Sequence, residues 1–308
     1  MDTVILKLTN GQAGNVDLLA EVPARLSGIS EHNYENGFQV CGSLGNMKVR
    51  VTESDVTVKN SLTKYYIGNN IQDMGRVDIK KAIEKLSDEL HLSFDISIAK
   101  RFDYAKNITL SQEIENYLPY LGEMSRYNRY PSKRGINYRI AQRELAIYNK
   151  IAEMKYHRDP VPPLFIGKNV MRIEKRYLLN VGKYFNRAEI KASDLYNEVF
   201  YTQVVEDWHN DYNRINKLSN KLIDMSTITT KRQLYSLGVQ ALVKMQGGEI
   251  RAIKNVQERF SRGELNKKQA YDLRAAIKES RNLNMNRHEN ELIKELDGKV
   301  KEAVNNYG

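Results

Sequence analysis

The chain of 308 residues, 41% hydrophobic and 28% charged, can bury one large core or two ordinary ones, which excludes a disordered polymer. A single cysteine, Cys41, excludes a disulfide framework and a cysteine-based zinc site, and the five scattered histidines (His32, His91, His157, His209, His288) form no compact metal-binding cluster. Lys and Arg number 48 against 38 Asp and Glu, and the resulting +10 favours a polyanionic partner, nucleic acid first among them.

No apolar run approaches the roughly 18–20 residues that cross a bilayer. The opening MDTVILKLTNGQ lacks the basic and apolar regions of a signal peptide, so a soluble, cytoplasmic protein without membrane partners is expected. In chain order, residues 4–8 alternate as a strand and a second strand follows near 38–41. Met47, Val49 and Val51, then Val56 and Val58, flank the turn-like Glu53-Ser54-Asp55 and predict a hairpin. The stretch LTKYYIGNN (62–70) is expected to be a strand ending in a turn. Ile79, Ile83, Leu86 and Leu90 make one apolar stripe of an amphipathic helix over 78–90. Strand character returns after His91, then around Tyr138, over 144–150 and over 170–178, with the proline-rich DPVPP (159–163) as a loop.

From about residue 190 the pattern is helical. Thr230 with Gln233 and Asn266 with Gln269 are capping boxes, and Gly247-Gly248 and Gly263 are stops. Ile250, Ile253, Val256 and Phe260 should form one buried face and Leu273 with Ile277 another, while the tail over 286–303 is polar and weakly amphipathic. The expected fold class is α+β. A twisted antiparallel sheet with flanking helices fills a domain of residues 1–207, and an all-helical, basic domain of residues 208–308 serves DNA binding or an accessory role. Residues 209–308 hold 19 basic and 12 acidic side chains, an asymmetry that points to DNA contact or to a plain solvated bundle.

Three strands carry the ionisable groups. By alternation Arg101 and Asp103 share a face, as do Glu144, Tyr148 and Lys150, and as do Arg172, Glu174 and Arg176. In one sheet, Asp103, Tyr148, Lys150 and Glu174 would converge over a floor of Arg172 and Arg176. Carboxylates on separate strands supply hard oxygen ligands for Mg²⁺ or Mn²⁺, and a lysine beside a phenol favours the phenolate. A sheet with one solvated face gives the same alternation without a site, Asp103 and Glu174 then pairing with Arg101, Arg172 or Arg176. Among nineteen tyrosines, Tyr138 is the rival nucleophile, and Trp208 suits packing better than base stacking.

The blocks GSLGNMKV (42–49), LTKYYIGNN (62–70), RFDYAKN (101–107), IYNKIAE (147–153) and MRIEKRY (171–177) resemble, in this order, the phage replication-initiator family. That family includes the strand-nicking proteins of filamentous phages and is similar, more distantly, to initiators of rolling-circle plasmids. The likeness spans roughly residues 1–205; beyond about 210 the motifs are weaker. It implies a rolling-circle initiator in a bacterial cell that nicks and rejoins one strand at a single-stranded or hairpin origin. Tyr148 is implied as nucleophile with Lys150 after it, Asp103, Glu174 and Glu153 as metal ligands, and a host helicase and polymerase as partners. Arg101, Arg172 and Arg176 would position the DNA backbone. No His-hydrophobe-His triplet is present, so either a carboxylate metal site applies or the metal expectation fails. The alternatives are a non-catalytic sequence-specific DNA-binding protein (a repressor or origin-melting protein) and, third, an RNA-binding protein using its tyrosines for stacking.

Overall fold

Alternating apolar residues in the first sixty positions build one half of a large antiparallel sheet. The computed structural model describes residues 1–34, 37–218, 228–280 and 291–305. The first strands are β1 (Thr3–Thr9), β2 (Ser27–Tyr34), β3 (Gly37–Leu44), β4 (Met47–Thr52) and β5 (Asp55–Ser61), with a short helix α1 (Leu18–Glu21) after β1. Val4, Leu6 and Leu8 sit opposite Asn60, Val58 and Val56, and Val49 and Val51 extend the apolar row onto β4. The predicted hairpin forms as β4–β5.

LTKYYIGNN is not a strand. Ser61 accepts from the Lys64 amide as N-cap, and Gly68, at φ +88°, ends a helix α2 (Leu62–Ile67) in the left-handed conformation that glycine adopts without strain. The expected amphipathic helix is α3 (Arg76–Leu90), with Ile79, Ile83, Leu86 and Leu90 buried. Then follow β6 (Ile98–Leu110), α4 (Ile114–Tyr117), β7 (Leu121–Met124), β8 (Asn128–Ser132), β9 (Gly135–Arg139), β10 (Arg143–Asn149), α5 (Lys150–His157), β11 (Asn169–Tyr177) and α6 (Val181–Tyr184).

Among the described residues ten strands form one sheet in the order β2-β3-β4-β5-β1-β6-β11-β10-β9-β8, every neighbouring pair antiparallel. On one face Phe102, Tyr104, Leu145, Ile147, Met171 and Ile173 are buried, against helices that include α7 (Glu198–Asn213). Trp208 of α7 packs edge-on to Tyr104 and donates from its indole nitrogen to the Ile173 carbonyl at 3.1 Å, a packing role. A single helix thus runs through the 207/208 division, with Val204 and Val205 before it and Trp208 and Tyr212 after it in the same core.

A short β12 (Ile215–Lys217) pairs with β7. Three helices follow: α8 (Lys231–Met245), α9 (Glu249–Ser261) and α10 (Lys267–Ser280). Both capping boxes form: Thr230 and Gln233 exchange bonds of 3.0 and 3.2 Å, and Asn266 and Gln269 two of 2.9 Å. Their apolar faces are less covered than expected: Ala252 and Val256 are buried, whereas Phe260 and Leu273 stay exposed, because three short helices enclose little volume. The last helix, α11 (Glu291–Asn305), returns to the sheet's core with Ile293, Leu296 and Val300. Part of the tail expected over 286–303 lies outside the described residues.

Candidate active site

On the face of the sheet away from the aromatic core, alternate residues of β6, β11 and β10 meet. The register sets Arg176 opposite Asp103 on one side and Glu144 on the other, and Arg172 opposite Asn107 and Tyr148. Glu174 stands between the two arginines, flanked by Ala105 and Ala146, whose small side chains leave it room to reach its neighbours.

The charges on this face are paired. Arg101 closes on Asp103 with two bonds, Nε to Oδ1 at 3.0 Å and Nη2 to Oδ2 at 2.7 Å. Glu174 accepts from Arg176 Nε at 2.8 Å on one oxygen and from Arg172 Nε at 3.1 Å on the other. The Tyr148 hydroxyl donates to that second oxygen at 2.9 Å. Arg176 also reaches Glu144 at 2.7 Å. Arg172 is further fixed by Asp2 at 2.6 Å, by the Asn70 carbonyl at 2.8 Å and by Asn107 at 3.2 Å. Its side chain is 3% exposed, against 25% for Arg101 and 28% for Arg176, so only the last two can reach a phosphate without unpacking.

The electrostatics follow from burial and these partners. Burial pushes the Asp103 carboxyl up to about 7, Glu174 adding to the rise and Arg101 opposing it. Burial alone would also raise Glu174, but Arg172 and Arg176 overcome it and hold the group well below the usual carboxylate range. Burial and the Glu174 charge push the Tyr148 phenol well above its ordinary value. A ready phenolate, expected from a lysine neighbour, is therefore not favoured.

Lys150 itself does not continue the strand. The Asn149 side chain accepts from the Ala152 amide at 3.0 Å and caps α5, so Lys150 becomes the first helical residue and alternation ceases one position after Tyr148. The Lys150 ammonium is buried and bonded to Glu153 at 2.7 Å; burial and Arg172 lower its pKa. Of the two tyrosines weighed as nucleophile, Tyr138 lies on the covered face. It is fully buried, with its hydroxyl donating to the Gly122 carbonyl at 2.8 Å.

Asp103, Tyr148, Glu174, Arg101, Arg172 and Arg176 thus share one face, while Glu153 turns to Lys150. Sequence reasoning placed Glu144 on this face without giving it a role, and missed Asp2, Asn70 and Asn107. Glu144 and Asn107 follow the same alternation as their neighbours and were legible; Asp2 and Asn70 arrive from distant chain positions and left no local signal.

Asp103 and Glu174 have the oxygen chemistry that Mg²⁺ or Mn²⁺ prefers. As arranged, they do not fit such an ion. Guanidinium or phenol groups already occupy all four of their oxygens. Among the described residues no group of three or more His, Cys, Asp or Glu side chains is placed to hold a metal. Nor is any helix among them long and apolar enough to cross a membrane.

Comparison with known families gives a match over most of the chain. The phage CRI family, described as the N-terminal region of a replication-associated protein, matches residues 1–211, which takes in every strand of the large sheet and all the site residues. No curated protein matches the chain.

Proposed function

Since the chain belongs to the phage family of replication-associated proteins matched over residues 1–211, we propose that it initiates replication by nicking and rejoining one DNA strand through Tyr148. The observation that carries this is the Tyr148 hydroxyl bonded to a carboxylate on an arginine-lined sheet face. Arg101 and Arg176, whose heads reach solvent, take the scissile phosphate and orient it. Drawing Arg176 onto the phosphate strips Glu174 of one of its two guanidinium partners, which raises its affinity for a proton. Tyr148 then attacks the phosphorus in line: the phenolic proton passes to Glu174, the phosphotyrosyl bond forms, and the bond to the 3′-oxygen breaks. That oxygen takes a proton from solvent and becomes a primer end for a host polymerase, with a host helicase opening the strands. Rejoining is the reverse, driven by the ester and needing no ATP. Arg172, locked by Asp2 and Asn70, positions Glu174 and contacts no DNA.

A divalent ion enters this scheme only by exchange. Arg101 would have to release Asp103 before a cation could bind there, so if nicking needs Mn²⁺, Arg101→Ala lowers the concentration required. The direct test is incubation of the protein with origin-bearing single-stranded DNA, read as a covalent protein–DNA adduct on a denaturing gel. Wild type forms the adduct and Tyr148→Phe does not; an adduct that persists in Tyr148→Phe removes this residue from the mechanism. The paired carboxylates favour a second reading, a DNA-binding protein without nuclease activity. Specific origin binding with no adduct under any metal condition would establish it.

A further inference from the structure

Beyond the end of β10, on the side of the strand away from Tyr148, lies an open cavity of about 750 Å³. Asn149, the residue after Tyr148, forms part of its wall, and the Arg134 carbonyl accepts from the Asn149 amide at 3.0 Å, which ties the β8–β9 turn to the same spot. Arg134, Lys155 and Lys168 form the basic part of the lining, and Tyr156 its aromatic part.

Two properties set this cavity apart from the arginine-lined face. There, the arginines are bonded to carboxylates; here, the side chains of Arg134, Lys155 and Lys168 are exposed and make no salt bridge among the described residues, Lys168 only overhanging the Phe165 ring at 5.8 Å. The acids in the lining are Glu113 and Glu115, and Glu115 is engaged by the Asn149 amide nitrogen at 3.0 Å. The second property is Tyr156, 76% exposed on α5, its ring braced edge-on by His157 at 5.1 Å. Exposing so large a ring, with Leu164 and Ile166 also bare on the segment after α5, leaves apolar surface in water unless something flat covers it. Free cations beside an open aromatic ring match the phosphates and base faces of an unpaired strand. A duplex keeps its base faces stacked and offers only phosphates.

We propose that this cavity is a subsite for unpaired DNA. Tyr156 stacks on a base, and Arg134, Lys155 and Lys168 hold the phosphates next to the one presented to Tyr148. The proposal rests on the assignment of Tyr148 as nucleophile only for its register, since the strand must pass round the end of β10 to reach both places.

The test uses the whole protein and a fluorescein-labelled oligothymidylate of about 12 nucleotides, followed by fluorescence anisotropy across a salt series. The probe carries no origin and is not cut, so its affinity reads the subsite while the adduct assay reads the nucleophile. Tyr156→Ala should weaken binding about 10-fold and Tyr156→Phe, which keeps a ring, by no more than about twofold. Lys155→Ala should flatten the salt dependence by about 0.7 in the log–log slope. Unchanged affinity in Tyr156→Ala overturns the subsite. A loss in Tyr156→Phe as large as in Tyr156→Ala overturns stacking, and an equal loss for a duplex of the same length overturns the claim for an unpaired strand.

Discussion

At Asp103 two forces act on one proton. Removal from water favours the neutral acid and Arg101 favours the anion; burial prevails and pushes the group up from an ordinary 3.8 to about 7. The sign of the consequence is fixed. Between those two values the folded protein holds a proton that the unfolded chain has lost, so this contribution is complete below about pH 4 and disappears as the pH rises through 7. Asp103→Asn keeps a neutral side chain at every pH. Its melting temperature should therefore fall less between pH 4 and 8 than that of the wild type; parallel curves would show that the carboxyl is ionised throughout. The alternation of residues 101–103, 144–148 and 172–176 made the shared face legible in the sequence. It could not show that Arg172 is sunk between Asp2 and Glu174 while Arg176 is open, because burial depends on what the chain folds over it.

Elements were legible where their signal was local. The β4–β5 hairpin and α3 are contiguous patterns and stand as expected. β2 left no trace, because all eight of its residues are exposed and no apolar alternation survives at such an edge. Residues 62–67 misled through their tyrosines, which suit strands, whereas Ser61 and Gly68 decide the matter by capping. The β9–β10 contact offers a test at this scale. A Cβ on Gly135 would lie 2.6 Å from the Ile147 carbonyl oxygen and 2.7 Å from the Tyr148 Cβ. Gly135→Ala should cost about 1–3 kcal/mol of stability, as overpacking does, and slow adduct formation because the displaced strand carries Tyr148. Asn137→Ala, exposed on the same strand, is the control; equal melting temperatures for the two variants would refute the close contact.

Across the whole molecule, the α+β class and the antiparallel sheet were readable from the order of patterns, but the path of the last helix was not. The tail reads as polar and weakly amphipathic, yet α11 lies in the core of the sheet, where Glu295 receives the Tyr117 hydroxyl at 2.5 Å and Asp297 that of Tyr212 at 2.5 Å. Contacts between residues this far apart in the chain carry no local pattern. Leu296 is fully buried there, so Leu296→Ala should lower the urea stability by about 2–5 kcal/mol, whereas Leu242→Ala, on the exposed side of α8, should change it little. Similar losses from both would mean that α11 is not part of the core.

The docking of α11 also sets a schedule for synthesis. A ribosome delivers the sheet first, but a nascent chain that has not yet released residues 291–305 leaves the Tyr117 and Tyr212 hydroxyls without their carboxylates and a patch of the sheet's apolar side uncovered. On the proposed function, adduct formation should therefore switch on only after α11 has left the exit tunnel and docked.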